Sequence, residues 1–167
     1  RHVELQILAD EYGNAVCLGD RDCSLQRRNQ KLLEETPSPA VKDEQRDKIM
    51  ALAVVAIKKL RYVGAGTLEF LLDREGNFHF MEMNVRLQVE HCVTELLSGI
   101  DLVKWQIRIA AGIPLNLTQE QLRLQGCAIE CRINAEDPDK NFMPSPGKIT
   151  KWHEPGGARV RFDSGVT

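Results

Sequence analysis

The residues Arg74-Glu75-Gly76-Asn77 separate two runs, 67–72 and 78–84, rich in aromatic and aliphatic side chains. A short turn containing Gly and Asn between two such runs is the signature of a β-hairpin. It constrains this chain more than any other feature, because a turn fixes which residues face each other. Centred on Glu75-Gly76, it sets Glu69 opposite Glu82 and Thr67 opposite Asn84. Directly opposed cross-strand residues have Cβ atoms ~4.5–5.5 Å apart, and like charges so placed are destabilising. A divalent cation removes that cost. Glu69, Glu82 and Asn84 thus form a patch of oxygen donors suited to magnesium, which favours carboxylates and substrate phosphates.

Beyond Glu82 the period of two continues: Glu82, Asn84, Arg86, Gln88 and Glu90 alternate with Met83, Val85, Leu87 and Val89. All five polar residues are expected on one face of a continuing strand. A solvated strand face or a ladder of surface ion pairs gives the same alternation. A binding site is the other reading, because the run adds a guanidinium and a second amide to carboxylates facing Glu69. Spacing alone leaves both open.

Around this hairpin the pattern is mixed α+β. Residues 2–9 and 15–18 alternate about the turn Glu11-Tyr12-Gly13-Asn14 and form a first hairpin. The polar stretch 22–35, closed by Pro37 and Pro39, is expected to be an extended loop. Asp43, Glu44 and Asp47 open an amphipathic helix through Ile49, Ala53, Ile57 and Leu60 that stops before Gly64. Asp101 caps a second helix through Leu102, Trp105 and Ile109. Strands follow at 126–134, 149–152 and 159–162, and a domain boundary near Gly126 divides the chain into 1–125 and 126–167.

A net charge of −2 gives no electrostatic reason to bind nucleic acid or an anionic membrane. No run approaches the ~20 apolar residues of a membrane helix, so the chain is expected to be soluble. Its five cysteines lack the spacing of a zinc or redox pair, which favours a reducing compartment: cytoplasm, plastid stroma or mitochondrial matrix. Cys127 and Cys131 are expected on one strand face as small hydrophobes. The chain opens on Arg1 and stops at Thr167 without a start signal or closing element, so both ends read as cuts through a larger protein.

The runs GTLEFLL, FMEMNVRLQVEH, GCAIECRINAEDP and PSPGKI, with DRDCSLQRRNQK upstream, resemble in order the blocks of the biotin carboxylases. The resemblance spans essentially the whole chain. It implies the later part of an ATP-grasp lobe, an antiparallel sheet with flanking helices, running into the start of the family's C-terminal domain. It also implies a reaction in which magnesium (or manganese) ATP and bicarbonate give carboxyphosphate, whose carboxyl group passes to biotin on a biotin carboxyl carrier protein. Carboxyltransferase and a homodimeric parent would be the partners, as in acetyl-CoA carboxylase and fatty acid synthesis.

By the same resemblance Glu69, Glu82 and Asn84 hold metal, with Glu69 and Glu82 also at the nucleotide. Arg86, Gln88 and the Val89 main chain cradle bicarbonate, and Glu90 is the base that deprotonates it. Arg132 stabilises charge on the biotin ureido oxygen. Lys31 helps to hold phosphate or bicarbonate, while His2, Gln26 and Asn29 lie along the nucleotide. Without the family, His2 reads as a surface residue and Arg132 as a structural ion pair. Val85 and Cys92 stand where the family usually has Thr and Pro, and Asn29 where many members have His. Ala158 is smaller than expected beside Arg161, in a region resembling the dimer contact. The family's glycine-rich loop and ATP-binding lysines are absent, so the chain alone is expected to be inactive. A pyruvate- or propionyl-CoA-type carboxylase has the same chemistry, and a non-catalytic ATP-grasp relic acting as an interaction module is the reading from another class.

Overall fold

The computed structural model describes residues 1–166. It divides into two units, residues 1–132 and the described residues from 133 onward. In the first, six strands form one antiparallel sheet: β1 (His2–Ala9), β2 (Ala15–Arg27), β3 (Gln30–Thr36), β4 (Gly64–Leu72), β5 (Phe78–Asn84) and β6 (Ala128–Cys131). Their order is β5-β4-β1-β2-β3-β6. Helices α1 (Asp43–Leu60), α2 (His91–Ser98) and α3 (Leu102–Ala110) complete it. The second unit holds β7 (Glu136–Asp137) paired with β8 (Met143–Pro144).

Alternation in the central strand β1 explains the layering. Leu5, Ile7 and Ala9 pack with Met50, Ala53 and Ile57, the apolar stripe of α1. Leu8 turns the other way, joining Val16, Leu18 and the α3 residues Leu102, Trp105 and Ile109. Each fully buried aliphatic side chain contributes ~1.5–3 kcal/mol. The helix ends follow local chemistry: the Asp101 side chain accepts from Lys104 N at the start of α3, and Arg61 closes α1 in the left-handed conformation.

A bulge in β2 then re-aims the strand. Leu5 pairs with Asp20 and Ile7 with Cys17, so two β2 residues, Leu18 and Gly19, oppose Gln6 alone. Gly19 takes a φ of 104°, open to glycine at little cost. Parity flips there, and Arg21 arrives on the same face as Leu18.

Four expectations need correction. Residues 22–35 are not a loop but most of the β2–β3 hairpin, joined through Arg28 and Asn29, both left-handed. The stretch looked like loop because polar residues dominate it, several of them exposed near the hairpin tip; the two that are buried are paired, Asp22 accepting from Ser38 Oγ at 2.9 Å and Glu34 from Arg132 Nε at 2.9 Å. The strand expected to run on to Glu90 ends at Asn84, and α2, which the alternation concealed, begins at His91. Residues 149–152 and 159–162 are not strands, since a strand needs a neighbour for its hydrogen bonds and these have none among the described residues. Cys127 and Cys131 are exposed, Ala128 being the residue β6 buries.

The hairpin register carries a finding of its own. Glu69 faces Glu82 and Thr67 faces Asn84, as expected, yet nearer the turn Phe70 faces Phe80 and Leu72 faces Phe78. The turn is thus centred on Glu75, half a residue earlier than the sequence suggests. A bulge between Glu69 and Phe70 takes up the extra residue, Met81, and restores the expected register at the carboxylates.

Candidate active site

One face of the sheet carries charge into the interior. The register lines up Glu4, Glu69 and Glu82 on adjacent strands β1, β4 and β5. Glu4 and Glu69 are buried, so this row is stable only where cations or donors answer it. Lys31, from β3, does most of that. Its Nζ lies 2.7 Å from Glu4 Oε2, 3.2 Å from Glu69 Oε1 and 2.7 Å from Glu90 Oε1. Burial opposes charge on this ammonium, but Glu4 and Glu90 outweigh it and raise Lys31 above the ordinary lysine range. For Glu4, burial pushes the carboxyl up, and Arg21 with Lys31 more than reverses the push.

Beneath the row lies Arg21, wholly buried. It donates to Glu4 Oε1 at 2.5 Å, Gln6 Oε1 at 2.7 Å and Thr94 Oγ1 at 2.8 Å. It reaches Gln88 Oε1 at 3.4 Å, and Gln88 Nε2 in turn donates to Glu69 Oε1 at 2.8 Å. One buried guanidinium thereby orients residues from β1, α2 and the segment between β5 and α2.

His2 Nε2 lies 2.7 Å from Glu69 Oε2, and His2 Nδ1 lies 2.9 Å from Gln26 Nε2. An amide nitrogen only donates, so Nδ1 accepts and the ring proton sits on Nε2, toward the carboxylate. The His2 hydrogen bond is the main reason that Glu69 falls to about 2; burial opposes it, and Gln88 and Lys31 reinforce it.

Glu90 occupies the N-cap position of α2 and is buried. Lys31 holds its Oε1, and Arg132 Nη2 donates to its Oε2 at 2.9 Å. Arg132 also donates through Nε to Glu34 Oε1 at 2.9 Å.

Between Glu69 and Glu82 stands the Asn84 amide, its Nδ2 at 2.9 Å from Glu69 Oε1 and 3.1 Å from Glu82 Oε1. The donor end of an amide thus fills the place between two carboxylates that a cation would neutralise. Turned over, the amide adds Oδ1 to the carboxylates, a hard-oxygen set that fits magnesium or manganese.

Sequence reading had singled out His2, Gln26, Lys31, Glu69, Glu82, Asn84, Gln88, Glu90 and Arg132, and the fold brings them into one connected network. Three others lie outside it or at its margin. Asn29 is exposed at the β2–β3 turn. Arg86 is exposed and donates to Asn84 Oδ1 at 3.2 Å. Val89 is exposed, its carbonyl accepting from Cys92 Sγ at 3.8 Å. Glu4, Gln6, Arg21, Glu34 and Thr94 were missed. The available signal was parity: Glu4 and Gln6 share the period of His2, which a solvated face also produces.

Residues 1–118 match the family described as carbamoyl-phosphate synthase L chain, ATP binding domain, and residues 130–167 match the biotin carboxylase C-terminal domain. The biotin carboxylase of Nostoc sp. is 62% identical over 99% of this chain and 37% of its own length. A crystal structure of the biotin carboxylase domain dimer of Hydrogenobacter thermophilus 2-oxoglutarate carboxylase, in complex with MgADP, ADP and bicarbonate, superposes with a TM-score of 0.91. It is 56% identical, over 93% of this chain and 34% of that one. The biotin carboxylase subunit of a pyruvate carboxylase gives a TM-score of 0.91 at 54% identity, over 93% of this chain and 35% of that one. The chain thus spans about a third of the length of the relatives it matches. With its sheet, its buried carboxylate row and these likenesses in agreement, it belongs to the carbamoyl-phosphate synthase L chain ATP-binding family, in the ATP-grasp group, as a homologue of the biotin carboxylases.

Proposed function

We propose that this chain forms the bicarbonate-activating part of a biotin carboxylase that uses magnesium ATP to carboxylate biotin on a carrier protein. One observation carries the reading: Glu90, a buried carboxylate spanned by Lys31 and Arg132, lies in the same network as the oxygen donors Glu69, Glu82 and Asn84. Magnesium bound by those donors would offset charge on the phosphate oxygens.

The residues then divide the work. Arg86, exposed beside Asn84, presents a planar fork to bicarbonate, and Gln88 with the Val89 main chain completes the cradle. Glu90 takes the bicarbonate proton on Oε2, because Arg132 is the more exposed of its partners, 25% against 14% for Lys31, and is the one that can leave. The freed bicarbonate oxygen attacks the γ-phosphorus, ADP departs, and carboxyphosphate forms. Arg132 next meets the charge that develops on the biotin ureido oxygen as the ureido N–H proton passes to the departing phosphate and the carboxyl group transfers to that nitrogen. Lys31 stays among its carboxylates and keeps the row neutral enough for a polyphosphate to approach.

The acceptor that we favour is the carrier of an acetyl-CoA carboxylase in fatty acid synthesis, with carboxyltransferase as the next partner, because curated relatives are named simply as biotin carboxylases. A 2-oxoglutarate- or pyruvate-type carboxylase is the second reading, supported by the names of the structural neighbours. Homodimerisation of the whole protein is supported by the dimeric neighbour. No helix among the described residues is long and apolar enough to cross a membrane. The compartment that we propose is the cytoplasm, or the plastid as in the chloroplastic relative.

The test uses the full-length protein: bicarbonate-stimulated ADP release and carboxylation of free biotin, each with magnesium ATP. Arg132→Ser is expected to lower biotin carboxylation by ~10²–10³, the usual cost of losing one oxyanion-type donor, and to lower ATP cleavage much less. Equal losses in both assays would confine Arg132 to positioning Glu90.

A further inference from the structure

We infer that Glu34 is a positioning residue: it grips Arg132 through Nε and, by sharing that guanidinium with Glu90, sets how readily the arginine is released from Glu90. This inference rests on the function proposed above for Glu90 and Arg132. Glu34 is fully buried on β3. Its Oε1 accepts from Arg132 Nε at 2.9 Å, while its Oε2 has no hydrogen-bond partner among the described residues. An ionised carboxylate leaving one oxygen unanswered in the interior is costly, whereas a protonated one needs less. Burial pushes this carboxyl up to about 7; Arg132 works against the rise, and Glu130 and Glu90 add to it.

The groups acting on Glu34 come from two neighbouring elements: Glu130 on β6, directly opposite in the register, with Arg132 just beyond that strand, and Glu90 ahead of α2. Cys92, on α2, donates to Glu130 at 2.7 Å and not to Glu34. Cys23, on β2, is a thiol that burial keeps protonated. Ionised Glu34 draws Arg132 toward itself and leaves Glu90 Oε2 open to the bicarbonate proton. Neutral Glu34 releases its share, and the guanidinium settles on Glu90.

Glu34→Gln copies the neutral form at every pH and decides the matter in the full-length protein. The ratio of mutant to wild-type bicarbonate-dependent ATP cleavage should stay near one below pH 7 and fall about tenfold above it, a fraction of the ~10²–10³ that outright loss of such a donor costs. A ratio independent of pH would overturn the inference. Stability gives a second readout. A carboxyl raised from 4.5 to about 7 on folding binds a proton that the unfolded chain has lost. Wild type should therefore lose stability relative to Glu34→Gln as pH rises from 4.5 to about 7, and no further above that. A merely structural ion pair predicts the opposite slope. Should the variant not fold, carboxyl carbon-13 NMR of the wild type reads the same ionisation: a buried glutamate titrating near pH 7 supports the inference, and its absence overturns it. An inactive wild type would instead sink the proposed function, leaving melting and NMR to judge Glu34.

Discussion

Glu90→Gln in the full-length protein will lower bicarbonate-dependent ATP cleavage by ~10²–10⁴-fold, the range set by loss of a positioned general base, while the fold is retained. Glutamine keeps the size of the side chain and an oxygen that Lys31 can still meet. What it lacks is a site for the bicarbonate proton, without which bicarbonate is a poor nucleophile toward phosphorus. The loss should therefore fall on turnover, leaving the KM for ATP nearly unchanged because Glu69, Glu82 and Asn84, the donors proposed to hold metal, are untouched. Stability should change little, since Lys31 keeps Glu4 and Glu69 as partners and Arg132 keeps Glu34. Steady-state ADP release with and without bicarbonate, beside a thermal melt, makes the measurement. A variant keeping more than about a tenth of the wild-type rate would remove Glu90 from the role of base.

Arg21→Met will destabilise the protein by ~3–5 kcal/mol, the usual cost of stranding one member of a buried ion pair. Arg21 and Glu4 are both fully buried and 2.5 Å apart. Methionine fills much of the volume but leaves Glu4 with Lys31 alone, and deprives Gln6 and Thr94 of a donor. The asymmetry between breaking a pair and deleting it supplies the control. Adding Glu4→Gln to Arg21→Met removes the stranded charge and should recover a large part of the loss. Urea unfolding of the single and double variants reads this directly, and a single variant within ~0.5 kcal/mol of wild type would mean that Arg21 is not the anchor described above.

These two residues mark the edges of what could be read without the structure. Glu90 sat in a recognisable run, at even spacing from Glu82 and Asn84. Arg21 fell between the expected strand ending at Leu18 and the stretch from Asp22 that looked like loop. Only pairing with β1, and the parity flip at Gly19, reveal it as the buried partner of Glu4.

By itself, then, the sequence determined what depends on neighbours along the chain. The period of three to four in α1, the aspartate cap of α3, and the turn that sets Glu69 against Glu82 are all local, and all are found. Even there, the right pairing needed a bulge that no local rule announced. The tertiary structure alone decided how the carboxylates are neutralised. Lys31, Arg21 and His2 come from β3, β2 and β1 and Arg132 from just beyond β6, and nothing in their spacing says which will meet Glu4, Glu69 or Glu90. Periodicity reports which way a side chain points relative to its neighbours in sequence. Burial on both faces of a sheet, and the cation that makes a buried carboxylate tolerable, are properties of strands brought together across the fold.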